Sequence, residues 1–339
     1  MKTLKRTLMG ALAALTLATA TSVAAKEDLL ERSLCVFDPV GANGPLFELM
    51  QSARPMALKK GVDLDLRAYT SEKIAAEEFR NGQCDSALLT GTMARDFNRF
   101  TGSLEAMGAI PGEEEMRMLL QVLSQSNARK YLKTKKYEVV GVLPAGAVYL
   151  FLDDRSIDTV EELQGKRIAT LGHDKASVTM VRHVGASVVG SSTSNFSGRF
   201  NNGSVDAAYA PAVAYEPLEL YKGLGDNGAI LDYTLAQMNF QVLVRRDRFP
   251  ERFVKQAREY AFNRIDQAYG IIEDAESKVK EKYWMRPTKQ QRHEYNAMLA
   301  EVRRQLREEG EFDETALKLM RGIRCRVNPS RAECARSEG

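Results

Sequence analysis

The chain has 339 residues, of which 44% are hydrophobic and 27% charged. That is enough for about two domains of roughly 100–200 residues each, and it excludes a mainly disordered, a collagen-like or a multi-span membrane chain. The formal charge of +3 is supplied by Lys2, Lys5 and Arg6. Without them the charges balance, so bulk charge gives no reason to expect a nucleic-acid partner.

Residues 1–25 read as a signal peptide. Lys2, Lys5 and Arg6 form a positive n-region, an apolar run follows from Leu8 to about Ala18, and Val23-Ala24-Ala25 precede the polar Lys26-Glu27-Asp28. The run is shorter than the ~20 residues of a spanning helix. A mature chain starting near Lys26 in the periplasm is therefore expected. The four cysteines, Cys35, Cys84, Cys325 and Cys334, are an even set in an oxidising compartment, which reads as two disulfides with three possible pairings. The favoured pairing closes a short C-terminal loop, Cys325–Cys334, and leaves Cys35–Cys84. A zinc site would need clustered ligands, and no His accompanies the C-terminal pair.

Beyond the leader the chain alternates strand and helix. Ser33–Asp38 is an apolar strand running into Pro39, Gly41 and Gly44. Pro45–Lys60 has helical spacing and stops at Gly61. Val62–Tyr69 alternates as a strand, Ser71 opens a helix that Gly82 stops, and Asp85–Leu89 is a strand ending at Thr90-Gly91-Thr92. A second round starts near residue 137, with strands at Tyr137–Leu143 and Ala147–Asp153 separated by Pro144-Ala145-Gly146. Thr159–Leu163 is a helical turn. Strands follow at Arg167–Leu171, Ser187–Val189 and Val205–Ala210, with helices between them, and Phe240–Arg245 is a further strand. From Pro250 to about Gly322 the pattern is helical, broken at Pro287 and Gly310. Such alternation predicts an α/β fold: two units with mainly parallel sheets and flanking helices, joined by two crossovers, plus a helical C-terminal region. Ligands of parallel sheets sit beyond the carboxyl ends of the strands, which here would face a cleft.

Asp158-Thr159-Val160-Glu161-Glu162-Leu163-Gln164-Gly165-Lys166-Arg167-Ile168, Gly185-Ala186-Ser187-Val188-Val189 and Phe200-Asn201-Asn202-Gly203-Ser204-Val205-Asp206-Ala207 carry a family pattern, and Phe79–Ala87 repeats its helix–Gly–Asp–Ala form. In these residues the chain resembles the type II periplasmic solute-binding proteins, in particular those of TRAP transporters. The resemblance implies a two-lobed fold, with lobe one at 26–146 and 240–339 and lobe two at 147–239. It also implies capture of a small polar or anionic solute for membrane permease subunits, with no cofactor. One departure stands out. The family's carboxylate-clamping Arg follows the Gly-Lys-Lys segment, and Ala169 occupies the matching position here.

The candidate ligand-binding residues sit on strand-end loops. Asn43 lies in the glycine-rich turn before a helix, where free N–H groups favour anions. Thr90 and Thr92 end another strand, with Arg95 one turn on. The loop Gly172–Ser177 combines His173, Lys175 and Ser177 with a helix start and is the strongest anion candidate, with Asp174 as its counter-charge or cap. Tyr209 ends a further strand; Tyr149, Asn239 and Gln241 lie near the crossovers. Other motifs fail on context. Gly223-Leu224-Gly225-Asp226-Asn227-Gly228 matches a dinucleotide fingerprint but precedes a strand instead of a helix. His293-Glu294 has Ala297 where a zincin needs His, and the three histidines are scattered, so neither a metal site nor a triad is expected. The Arg129–Lys136 run reads as a solvated helix end, and Glu301–Glu311 as a surface helix with paired charges. An exported binding protein is the leading reading. A sensor of the same fold is the alternative, ahead of an exported enzyme.

Overall fold

The computed structural model describes residues 29–335; the signal-peptide reading lies outside them. The first unit follows the expected order. β1 (Leu30–Phe37) leads to α1 (Pro45–Lys59), β2 (Val62–Tyr69), α2 (Glu72–Asn81) and β3 (Ser86–Thr90). Ser71 caps α2 by accepting from the Ile74 N–H, and Gly82, at φ +82°, closes it, a pairing of cap residues that sequence alone signals. Residues 91–136 hold elements not assigned above: the short helices α3 (Gly91–Ala94) and α4 (Arg99–Gly102) and the amphipathic α5 (Glu113–Ser124).

β4 (Tyr137–Leu152) then runs through both strands expected there. The second unit comprises β5 (Arg167–Leu171), α6 (Lys175–His183), β6 (Ser187–Ser191), α7 (Phe196–Asn201) and β7 (Ala207–Pro211). After α8 (Tyr221–Leu224), β8 (Ala229–Arg245) returns, and its last third is the strand expected at Phe240–Arg245. The helical region resolves into α9 (Glu251–Phe262), α10 (Ile265–Lys278), α11 (Lys289–Glu308) and α12 (Glu314–Val327), with β9 (Trp284–Met285) between α10 and α11. The break at Asn263–Arg264 has neither Gly nor Pro to announce it.

One sheet unites these strands in the order β2-β1-β3-β8-β4-β7-β5-β6, with β9 on β8. β2-β1-β3 and β7-β5-β6 are parallel sets, one in each lobe. The antiparallel pair β4–β8 runs between them, from Tyr137 opposite Arg245 to Leu152 opposite Ala229. Pro144-Ala145-Gly146 does not end β4, as the sequence suggested. It is a register shift inside it: Pro144 faces Asn239 and Gly146 faces Met238, so a residue is accommodated as in a bulge, where a missing N–H costs little. Gly146 sits at φ +97°, and a Cβ there would also press on Ile272 at 3.1 Å.

Each lobe buries its own aromatic centre. Phe79, Phe97 and Tyr137 pack in the first lobe with ring centroids 5.0–5.1 Å apart; Phe151 meets Phe200 edge-on in the second. Two charge runs read as solvated are partly internal. Arg129 donates to the buried Glu138 carboxylate at 2.9 Å, and Lys133 lies 3.7 Å from it. Arg303 on α11 is partly buried, donates to the Met107 carbonyl at 2.6 Å, and is pushed down to about 10 by desolvation. Arg304 keeps the expected surface pairs with Glu301 and Glu308.

The disulfides are Cys35–Cys84 and Cys325–Cys334. The first, fully buried, ties β1 to the entry of β3. The second holds the last turn against α12, where Glu333 takes two hydrogen bonds from the buried Arg324 at 2.8 and 2.6 Å. Cross-link stabilisation grows with the loop closed, and the separations are 49 and 9 residues. Replacing Cys35 and Cys84 by Ala should therefore cost about 3–4 kcal/mol, more than replacing Cys325 and Cys334. Urea unfolding of the two double variants tests the order; a larger loss from the C-terminal pair would contradict it.

Candidate functional site

The carboxyl ends of β1, β3, β5 and β7 converge on one cavity of ≈ 290 Å³, at the small end of the roughly 300–1,000 Å³ typical of ligand pockets. Its floor is the crossing pair: Leu143, Pro144, Ala145 and Val148 of β4, and Leu235, Met238 and Phe240 of β8. The first lobe adds Asp38, Thr90, Thr92, Arg95, Glu105 and Met107. The second adds Ala169, Leu171, Asp174, Ser177, Met180 and Tyr209, with Phe196 above them. The position where the family pattern has its clamp is thus in the wall, and it is Ala169. The fourth wall is a face of α10 that sequence reasoning missed. Arg264, Gln267, Ala268, Ile271 and Ile272 recur at i, i+3, i+4, i+7 and i+8, the spacing of a single helix face; that period was the available signal.

Of the expected site residues, Thr90, Thr92, Arg95, Ser177 and Tyr209 line this cavity. Asn43, Tyr149, His173 and Lys175 are placed elsewhere. Asn43 and His173 are exposed on their turns. Tyr149 points to the other face of β4, donates to Glu276 at 2.8 Å and packs edge-on against Trp284. Lys175 turns outward to Glu309, the residue that ends α11, at 2.7 Å, with about half of its side chain in solvent. Asn239 and Gln241 lie behind the wall, fully buried: the Asn239 N–H donates to Glu105 at 2.7 Å, and the Gln241 amide donates to Thr101 and to Asn239, both at 2.9 Å.

The helix starts expected to receive an anion already hold one from the chain itself. The Asp38 carboxylate accepts from the N–H groups of Val40, Leu46 and Phe47 at 2.8–3.0 Å. Gly44 is required by this packing, because a Cβ there would lie 2.0 Å from Asp38 Oδ1. Asp174 caps α6, accepting from the Ala176 and Ser177 N–H groups at 3.3 and 3.0 Å and from the Ser177 hydroxyl. Thr90 accepts from the Met93 N–H at 3.2 Å. The Tyr209 hydroxyl is buried in the second-lobe wall beside Ser177, Leu171 and Thr170, and burial pushes it up, so it stays neutral there.

Arg95 joins the lobes. It donates to Asp174 of the second lobe and to Glu311 beyond α11, both at 2.9 Å, and stacks over Phe312 at 5.0 Å. Burial works against its charge, but the two carboxylates outweigh that and hold it above the ordinary arginine value. Removing one partner of a buried charge cluster typically costs about 3–5 kcal/mol. Arg95→Ala should lose that much in urea unfolding; a loss below about 1 kcal/mol, the range of exposed pairs, would contradict the assignment.

Two buried acids lie beside this cluster. Glu72 accepts from the Thr90 N–H at 2.6 Å, and burial raises it to about 7. Glu105 accepts from Thr92 at 2.7 Å and is raised by burial as well. A carboxyl that keeps its proton in the folded state, but loses it near 4.3 when unfolded, favours folding fully below the unfolded value. It gives up that contribution as pH rises through the folded one. Stability should therefore fall between about pH 4.5 and pH 7 by the Glu72 contribution, and Glu72→Gln should remove that part of the fall. Parallel stability curves for the two proteins over that range would contradict it.

Among the described residues no helix is long and apolar enough to cross a membrane, and no cluster of His, Cys, Asp or Glu could hold a metal. Comparison with known proteins agrees with this architecture. The model of the family "Solute-binding protein AdeT 1/2" matches residues 49–339. The probable solute-binding protein AdeT1 of Acinetobacter baumannii is 38% identical over 300 residues, spanning 88% of this chain and 99% of that protein. Among solved structures, a TRAP periplasmic solute-binding protein of Desulfovibrio salexigens, with bound orotic acid, superposes with a TM-score of 0.72 at 12% identity, over 88% of this chain and 99% of its own. One from Xanthobacter autotrophicus, with bound β-D-galacturonate, gives 0.69 at 15%, over 87% and 99%. At such identities these two speak to the fold; the family match speaks to descent, and the chain belongs to the AdeT 1/2 solute-binding protein family.

Proposed function

We infer that the chain captures a small organic solute in the cavity between its lobes, outside the inner membrane, and delivers it to a membrane permease. The observation that carries this reading is the cavity itself: four strand ends, two crossing strands and α10 enclose one space between the two parallel strand sets. Export is supported by the tripartite pattern of residues 1–25 and by fold neighbours that are periplasmic. Transport is supported by those neighbours being TRAP components. The reading assigns the chain no catalytic step: the lining Asp38, Arg95, Glu105 and Asp174 are each hydrogen-bonded to the chain itself.

The lobes, taken as 26–146 with 240–339 and as 147–239, would move about the register shifts in β4 at Pro144/Gly146 and Val148/Leu150. Hinge closure of this kind needs only a few residues to absorb the change. Opening must part Arg95 from Asp174 and Lys175 from Glu309. Small-angle scattering of the protein as isolated from the exported fraction, and again after unfolding, dialysis and refolding, tests the motion. The stripped protein should have the larger radius of gyration. Identical radii, with native mass spectrometry confirming that a solute was lost, would overturn closure.

A further inference from the structure

We propose that the cavity takes a monocarboxylate with a carbon-rich body, its carboxylate held by Arg264 at the rim and its body against the crossing strands. The proposal rests on the solute-binding reading above and names the solute class and the residue that selects it. It follows from where charge is spent. Of the two lining cations, Arg95 is neutralised by Asp174 and Glu311. The helix starts at β1, β3 and β5 are occupied by Asp38, Thr90 and Asp174, and the family's clamp position is Ala169. Arg264 remains. Its guanidinium donates to Gln267 Oε1 at 2.6 Å and to the Tyr260 hydroxyl at 2.8 Å, and among the described residues no carboxylate pairs with it. Two of five N–H donors are thereby used, and the fork matches a carboxylate. The start of α10 has no side-chain cap, and Asp266 beside it is drawn off by Arg117 at 2.6 Å, so the helix dipole adds to the same positive end.

Orientation follows from the opposite signs at the two ends. Asp38 lies inside the cavity, held by backbone N–H groups alone and paired with no cation among the described residues, and it repels an anionic head placed there. The α10 wall turns from Arg264 and Gln267 to Ile271 and Ile272 along its length, and Leu143, Met238 and Phe240 continue the apolar surface. Ile271 and Val40 leave 50% and 47% of their side chains in solvent at the cavity, a cost that an apolar ligand body would offset.

Calorimetry on the full, solute-free exported chain tests this with octanoate, hexanoate, octan-1-ol and β-D-galacturonate as probes. Octanoate should bind at least tenfold more tightly than octan-1-ol or galacturonate, and about fifteenfold more tightly than hexanoate, since each of the two extra buried methylenes is worth about fourfold. Arg264→Gln should lower octanoate to the level of octan-1-ol and leave octan-1-ol unchanged, Arg264→Lys should recover part of the loss, and Ile271→Asn should weaken both ligands together. Octanoate bound equally by wild type and Arg264→Gln would overturn the assignment of Arg264. Galacturonate bound with octanoate excluded would overturn the solute class while leaving the binding reading intact. If no probe binds and native mass spectrometry finds the exported protein bare, the binding reading itself fails.

Discussion

The antiparallel ladder between β4 and β8 is the constraint on which the rest depends. Strands of 16 and 17 residues run through both lobes, so neither lobe can be placed independently of the other. Where they cross, the ladder slips at Val139/Gly141, Pro144/Gly146 and Val148/Leu150. A slip keeps the sheet continuous while twisting it, which turns two parallel sets toward each other and leaves their carboxyl ends facing one space. The cavity floor is made of the same residues that make the crossing. Ile272 of α10 nests at Gly146, so the fourth wall is positioned by the slip as well.

Around that floor the chain spends its own charges before a ligand arrives. Asp38 and Asp174 take the helix N–H groups that would otherwise bind an anion, and Asp174 is shared with Arg95 across the lobes. This arrangement favours a defined interlobe geometry over an internal anion site. A buried charge without a partner is costly, and a polar group at the rim avoids that cost because it keeps part of its hydration. The buried Tyr209 hydroxyl, beside Ser177 and Thr170, obeys the same rule: a neutral polar group is tolerated where an ion is not.

Much of the fold was legible in the sequence because its signals are local. The Ser71 and Gly82 caps, the strand–Gly–helix rhythm of residues 33–90 and the apolar strand at Arg167 each depend on a few neighbouring residues. The two-lobed α/β architecture followed from them. The continuity of β4 was not legible, since Pro144 and Gly146 look like a break unless the partner strand is in view. Arg129 and Arg303 looked like surface charges for the same reason: Glu138 and the Met107 carbonyl that receive them come from other elements. In the site, Thr90, Thr92, Arg95, Ser177 and Tyr209 reached the cavity because strand ends point there by topology. Lys175 did not, because Asp174 before it is the helix cap and the next side chain faces α11. The α10 face was readable as a period, but nothing local says that an exposed isoleucine belongs to a pocket wall.

The central claim is that solute lies between the lobes over the β4–β8 crossing. The most direct measurement is a crystal structure of the protein purified from the exported fraction without stripping its solute. The account predicts electron density for a small organic molecule bounded by Tyr209, Ala169, Met238 and the Arg264–Ile272 face of α10. A solute bound elsewhere on the chain, with ordered water alone filling this cavity, would contradict it.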